Sequence, residues 1–200
     1  MSDAVVPDGP LPVGSIGARA SGWWGMLFFA LSEASIFAYL CFAYFYFNVQ
    51  PQYTPWPPYG APSFLYAIPQ TVLVLAGAAA MWWSGRTAAT ARSLPALGAI
   101  AAAVVCGLAF IGLGLADWAS KPFTLASSPY ASLYLVTTGI HLAHVLVGVV
   151  IAVAVLVWTA LGYFRPVRHA PVNVAALYWG FLAGTWIAVF FTLYITPHLG

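Results

Sequence analysis

The sequence predicts an all-α, polytopic membrane protein with five transmembrane helices. Of its 200 residues, 62% are hydrophobic and only 5% are charged, and the mean hydropathy is +0.90. A soluble domain carries about 25% charged residues. The apolar residues fall into five segments, each near or above the ~20 helical residues that cross a bilayer core. The net charge of +2 gives no indication of a nucleic-acid partner.

Each helix is predicted from an apolar run that ends in polar, proline-rich or basic sequence. The predicted membrane helices cover residues 22–47, 65–84, 94–118, 130–161 and 174–197. Residues 1–21 are predicted to be a flexible tail, because they contain Asp3, Asp8 and several prolines but no apolar core of the kind found in a signal peptide. The five prolines within residues 50–62 predict a non-helical first connection.

The distribution of basic residues predicts a cytoplasmic N-terminus. The tail and the second and fourth connections lie on one side of the membrane, and the remaining connections lie on the other. The first side has five basic residues, namely Arg19, Arg86, Arg92, Arg165 and Arg168. The other side has only Lys121. Positive residues accumulate in cytoplasmic connections, which places the C-terminus outside.

The fourth predicted helix has a polar face. Thr137, Thr138, His141, His144 and Gly148 gather on one side at ~100° per residue. Hydrocarbon offers such a face no hydrogen-bond partners, so other helices must cover it. This helix is therefore expected to turn its histidines toward the rest of the bundle.

Glu33 is the acidic residue predicted to lie within the membrane. It is about eleven residues into the first helix, which at ~1.5 Å per residue is ~16 Å deep. A carboxylate at that depth needs a partner or a proton. His141 and His144 reach a similar depth from the opposite side, so we predict that Glu33 bonds to one of them within the bundle, His144 being favoured. Ser32 and Ser35, and Thr137 and Thr138, are expected to add hydrogen bonds.

Four interpretations of this polar cluster are open. The three side chains fall short of a complete metal site, and a haem would need facing axial ligands from two helices. Intramembrane Glu–His pairs also occur in proton pathways. The favoured interpretation is a hydrogen-bonded pair that fixes helix packing. We therefore assign no catalytic residue and no metal ligand to this chain.

Several aromatic residues and one further acid lie near predicted helix ends. Asp117, beside Trp118, is interpreted either as a solvated helix end or as a contact for a partner. Together with Trp24, Trp56, Tyr178, Trp179 and Trp186, these two residues form the predicted set of subunit or lipid contacts. In the last helix, Tyr178, Trp179 and Trp186 are expected to lie on a packed side, while Gly180, Ala183 and Gly184 are expected to allow close helix approach.

Residues 121–148 read KPFTLASSPYASLYLVTTGIHLAHVLVG and resemble the signature of subunit III of the haem–copper cytochrome oxidases. The segment GMLFFALSE, which ends at Glu33, is similar to that family's first shared helix. The Tyr178-Trp179 pair, Phe181 and Trp186 match its last helix. Departures are Gly180 where the family has His, Ala183 where it has Asp, and Ala143 where it has Gly. The short chain resembles the five-helix bacterial form.

The resemblance implies a non-redox subunit of a proton-pumping terminal oxidase that reduces O2 to water. Haem and copper would be held by partner subunits. The chain would pack on the catalytic subunit I beside subunit II, bind phospholipid and support proton uptake. Cytochrome c or quinol would donate electrons to the complex, and the expected location is the bacterial cytoplasmic membrane.

Alternative functions are a quinol oxidase subunit, a relative associated with nitric oxide reductase, or a small proton-coupled transporter using Glu33. The chain has no repeated half or pair of broken helices, which argues against the transporter.

Overall fold

The computed structural model describes residues 21–89, 93–162 and 170–199. Within these ranges the chain is helical, without strands, and has five helices long and apolar enough to cross a membrane. They are α1 (Ser21–Asn48), α2 (Phe64–Ala89), α3 (Ser93–Ala119), α4 (Pro129–Ala160) and α5 (Ala170–Phe190). The predicted fold class is confirmed.

The observed helix bounds differ from the predicted ones mainly at the basic side of the membrane. Helix α2 ends five residues later than predicted, and α5 begins four residues earlier. The prediction ended each helix where the apolar run ended, but backbone hydrogen bonding continues through interfacial residues such as Arg86. Helix α5 also continues into a π-helical turn, Phe191–Ile195, and a short 3-10 turn, Thr196–His198.

Part of the sequence prediction concerns residues outside the described ranges. The predicted flexible tail lies there except for Ser21, the first residue of α1. So do four of the six basic residues used to predict orientation, namely Arg19, Arg92, Arg165 and Arg168. The cytoplasmic placement of the N-terminus stays a prediction.

Helix α4 has a clear start signal in the sequence. The Ser128 hydroxyl accepts a hydrogen bond from the amide of Ala131 at 3.1 Å, and Pro129 occupies the first turn, where its missing N–H costs nothing. The helix has 32 residues and is therefore ~48 Å long, well beyond the ~30 Å hydrocarbon core.

Helices α4 and α5 lie at the centre of the bundle, because each packs against three other helices, and α5 packs against α1, α2 and α4. Helices α2–α3, α3–α4 and α1–α4 also pack in pairs. The side chain of Trp179 enters the bundle where α2 and α3 have glycines: a Cβ atom at Gly77 would collide with its ring, and one at Gly107 would lie 3.0 Å from it. These two glycines make room for the largest side chain of the core.

Candidate functional site

The structure brings Glu33 and His144 together between α1 and α4. Glu33 Oε2 lies 3.3 Å from His144 Nε2. The predicted contact between Glu33 and His144 is confirmed, but the pair is only partly buried by this chain, because 25% of the Glu33 side chain and 15% of that of His144 are exposed. The pair therefore lies at the edge of the bundle, where both side chains are partly exposed.

His141 is separate from this pair. It is fully buried, and its Nε2 donates a hydrogen bond to the carbonyl of Leu182 in α5 at 3.0 Å. Its ring packs against Phe37, Phe110 and Trp186 at centroid distances of 5.0 to 5.9 Å. The two histidine side chains, three residues apart in α4, therefore bond to different helices: His141 to α5 and His144 to α1.

The hydroxyl groups expected to support this cluster bond elsewhere. Ser32 and Ser35 donate to the carbonyls of Phe29 and Ser32, at 2.7 and 2.6 Å. Thr138 donates to the carbonyl of Tyr134 at 2.7 Å and accepts from Trp118 Nε1 at 3.0 Å. The predicted bonds from Ser32, Ser35 and Thr138 to Glu33 and His141 are wrong, because a hydroxyl in a helix readily reaches the carbonyl one turn back.

A second polar cluster lies at the end of α3 and is centred on Asp117. This residue is 2% exposed, so the interpretation as a solvated helix end is wrong. Lys121 Nζ lies 2.9 Å from Oδ1. The Tyr134 hydroxyl donates to Oδ2 at 2.5 Å, and the Tyr194 hydroxyl lies 2.5 Å from that of Tyr134 and 3.5 Å from Oδ2.

Tyr134 and Tyr194 were not predicted as part of any site. Tyr194 belongs to the π-helical turn at the end of α5, and π-helical turns are often found at functional sites. The one signal in the sequence was the spacing of Asp117 and Lys121, which are four residues apart and so share a helix face. A pocket of about 220 Å³ adjoins Lys121 and Tyr134, beneath the first connection.

The predicted contact residues divide into two groups. Trp24 is 46% exposed, and Trp56 and Trp118 are partly buried. The structure places the other three aromatic residues inside this chain, since Tyr178, Trp179 and Trp186 are at most 1% exposed. They therefore lie on a packed side of α5, as predicted, and leave almost no surface for a contact with another subunit or a lipid.

These three side chains use their polar atoms within the bundle. Tyr178 donates to the carbonyl of His144 at 3.1 Å, Trp179 to that of Gly148 at 3.2 Å, and Trp186 to the hydroxyl of Thr71 at 2.8 Å. The aromatic residues of α5 therefore join it to α2 and α4.

Two open grooves run beside α5. The larger, of about 720 Å³, is bordered by Trp23 on α1, by Trp82 and Arg86 on α2 and by Asn173 on α5. The second, of about 500 Å³, is lined by α1 and α5 and is almost entirely apolar. Both include Phe181, so they lie end to end along α5.

The glycines of α5 face these grooves. A Cβ atom at Gly180 or Gly184 would meet nothing within 4 Å among the described residues, so none of the five helices approaches them closely. They do not bring described helices of this chain together, because the rotation of α5 turns them outward; close approach by a helix of another subunit stays a prediction. Ala183, in contrast, is 7% exposed and packs inside.

The sequence of this five-helix chain matches a known protein family. The cytochrome c oxidase subunit III family matches residues 17–197, which include all five helices. The chain belongs to the cytochrome c oxidase subunit III family. Cytochrome c oxidase subunit 3 of Lumbricus terrestris is 30% identical over 179 residues, covering 86% of this chain and 68% of the relative.

Two further relatives extend the comparison. Cytochrome c oxidase subunit 3 of Drosophila yakuba and of Marchantia polymorpha are each 29% identical, covering 86% of this chain and 68% and 67% of the relative, respectively. This subunit III family member is therefore a multi-pass membrane protein and part of an oxidoreductase complex. These relatives are eukaryotic, and a bacterial source for the chain stays a prediction.

The side chains of this subunit III family member that could bind a metal are spread over several places in the bundle. Within the described ranges, no three side chains of the His, Cys, Asp and Glu types come close enough to hold a metal ion together. Glu33 and His144 form a pair, and His141 turns away toward α5. The free thiols of Cys41 and Cys106 belong to different helices, α1 and α3.

Proposed function

We propose that the chain is the non-redox subunit III of a proton-pumping terminal oxidase, in which haem and copper are held by partner subunits. The family match across all five helices carries this proposal. The dispersed donor groups support it, because the described residues offer pairs of metal-ligand side chains and no larger set. The chain would pack on subunit I, beside subunit II, in a bacterial cytoplasmic membrane.

Phospholipid binding is supported by the larger groove. The Arg86 guanidinium carbon lies 3.8 Å from the centroid of the Trp82 ring. This cation–π contact holds the positive charge of Arg86 at the border of the mostly apolar groove. A phosphate group would bind at Arg86, while an acyl chain would follow α5 past Phe181. The outward-facing Gly180 and Gly184 leave room for that chain.

A role in proton uptake is supported by the Glu33–His144 pair. Acidic and histidine side chains within membrane helices occur in proton relays, and this pair is partly accessible from outside the bundle. The chain would support uptake by the complex, while the chemistry of O2 reduction belongs to subunit I.

Co-purification tests the assignment. The chain, carrying an affinity tag, is expected to bring down a haem- and copper-containing subunit I with subunit II, and the complex should oxidise cytochrome c with uptake of O2. Recovery of a nitric oxide reductase would contradict the proposal, and oxidation of quinol alone would make the complex a quinol oxidase. A complex lacking this chain is expected to lose activity during sustained turnover.

Lipid analysis tests the groove. The double variant Trp82→Leu, Arg86→Gln should retain less phospholipid per purified complex than the wild type. Trp83→Leu is the matched control, since Trp83 is 55% exposed on the same turn of α2 but lies outside the groove. Equal lipid content in the two variants would exclude Arg86 as a phosphate ligand.

A further inference from the structure

The pocket beside the Asp117 cluster lies where three helices end or begin. It is bordered by Lys121, which follows α3, by Ser63, which precedes α2, and by Tyr130 in the first turn of α4. Its volume of about 220 Å³ is several times the ~30 Å³ share of one water molecule, so a small polar group fits together with waters. Arg86 is in the last turn of α2, so this pocket and the larger groove lie toward opposite ends of the bundle.

The ammonium group of Lys121 has hydrogen-bond donors that the chain does not use. An ammonium carries three N–H groups. Its Nζ lies 2.9 Å from Asp117 Oδ1 and 5.0 Å from the centroid of the Tyr134 ring, and no other ion pair or hydrogen bond joins it to the described residues. Only 12% of the Lys121 side chain is exposed, so its remaining N–H groups need acceptors within the pocket that it borders.

The hydroxyl of Tyr130 also lacks a partner among the described residues. Tyr130 is 2% exposed and borders the pocket, and its contacts with neighbours such as Trp56 and Phe123 are made by its ring. A buried tyrosine hydroxyl usually has a hydrogen-bond partner. Nearby, the Ser63 hydroxyl accepts from the amide of Leu65 at 3.2 Å, which leaves its own O–H as a further donor. The pocket therefore calls for a group rich in acceptors.

The charges around the pocket favour an anion over a cation. Lys121 borders the pocket and Asp117 does not, so an anion there would lie closer to the ammonium than to the carboxylate behind it. Helices α2 and α4 both begin beside the pocket, and helix N-termini carry partial positive charge. A cation would meet positive charge on each of these sides.

We propose that this pocket binds a phosphate group through the ammonium of Lys121 and the hydroxyls of Tyr130 and Ser63. Phosphate oxygens accept hydrogen bonds and point in several directions from one phosphorus atom, which suits donors that converge from three segments of the chain. Inorganic phosphate and a phospholipid headgroup both supply this group. The site goes beyond the proposed function and is distinct from the groove at Arg86.

Thermal unfolding of the assembled complex, purified in detergent and depleted of lipid, tests the site while inorganic phosphate replaces chloride at constant ionic strength. A ligand that binds only the folded state raises the unfolding midpoint as its concentration rises. The midpoint of the wild type should therefore rise with phosphate. Asp117→Asn removes the competing carboxylate, so phosphate should raise the midpoint of this variant further. Adding Lys121→Met to Asp117→Asn should abolish the response.

The single variant Tyr130→Phe isolates the hydroxyl. It should weaken phosphate binding about tenfold, as expected for the loss of one hydrogen bond to a charged group. Its midpoint in chloride should stay near that of the wild type, because the hydroxyl has no partner among the described residues. Tyr39→Phe is the matched control, since Tyr39 is 69% exposed on α1 and lies outside the pocket; it should respond to phosphate as the wild type does.

The same titration in nanodiscs of phosphatidylglycerol separates the two sources of phosphate. A response in detergent that disappears in nanodiscs would mean that a headgroup already fills the site, and a response in both would mean that the site takes free phosphate. The proposal is overturned if the wild type responds to phosphate no more than to chloride. It is also overturned if Tyr130→Phe and the Asp117→Asn, Lys121→Met double variant both respond as the wild type does.

Discussion

Two carboxylates in helices of this bundle have opposite surroundings. Glu33, in α1, has one side-chain partner, His144 at 3.3 Å, and a quarter of its side chain is exposed. Asp117, in α3, is 2% exposed and is surrounded by Lys121, Tyr134 and Tyr194. The acid predicted to be deepest is at the edge of its bundle, and the acid predicted at a helix end is enclosed.

The difference shows that depth along a helix and burial within a bundle are separate quantities. Depth follows from residue number, at ~1.5 Å per residue. Burial depends on the rotation of the helix and on which neighbours pack against it. Helix α3 turns Asp117 toward α4 and the end of α5, where three polar groups converge. Helix α1 packs mainly against α5 and α4, and Glu33 lies at the margin of that contact.

The largest effect is expected at Asp117. Asp117→Asn removes the carboxylate from Lys121, whose side chain is 12% exposed, and leaves its ammonium without a counter-charge. Removing one partner of a buried ion pair costs ~3–5 kcal/mol. The purified complex should show a clear fall in thermal unfolding midpoint. Adding Lys121→Met should restore part of that stability, and an unchanged midpoint in Asp117→Asn would show that the pair is effectively solvated.

The hydrogen bonds of the two tyrosines in the same cluster should contribute unequally to stability. Tyr134→Phe removes the 2.5 Å bond to the carboxylate, and a hydrogen bond to a charged group contributes ~1.5–3 kcal/mol. Tyr194→Phe should cost less, ~0.5–1.5 kcal/mol, because its contact with Asp117 is 3.5 Å and its main partner is the Tyr134 hydroxyl. Denaturation of both variants in detergent checks this order, and the reverse order would contradict the geometry.

A smaller effect is expected at Glu33. Glu33→Leu leaves His144 Nε2 without its hydrogen-bond partner and should cost ~1 kcal/mol, the low end for an unsatisfied buried group, since the pair is partly exposed. Glu33→Gln retains a donor and should assemble normally with initial turnover nearly unchanged. Assembly yield and O2 uptake measure the two outcomes. If Gln lowers turnover as severely as Leu while assembly is intact, Glu33 carries protons in the working complex.

The smallest effect on the bundle itself is expected on the outer face of α5. Gly184→Leu adds a side chain where nothing lies within 4 Å, so unfolding of the chain should change by no more than ~0.5 kcal/mol. Gly148→Leu is the matched comparison, because even its Cβ would lie 2.7 Å from Leu182, and overpacking costs ~1–3 kcal/mol. Thermal unfolding of the two variants should separate them, and equal losses would mean that another molecule fills the groove.

Much of the site could be anticipated where it depends on how deep each residue lies along its helix. The spacing of His141 and His144 placed them at similar depth, and the antiparallel order of α1 and α4 brought Glu33 to the same level. The contact with His144 could therefore be predicted. The separation of His141 could not, because it depends on the carbonyl of Leu182, 41 residues later in the chain.

The sequence by itself determined the number of membrane helices, their approximate limits and the family, because these depend on apolar run length and on ordered local motifs. Tertiary structure alone decided which polar groups are enclosed. Tyr134 and Tyr194 meet at Asp117 because α4 and the π-helical turn after α5 pack beside the end of α3. Helix rotation is set by the fit of side chains such as Trp179 against Gly77 and Gly107, and that fit exists only once the helices are together.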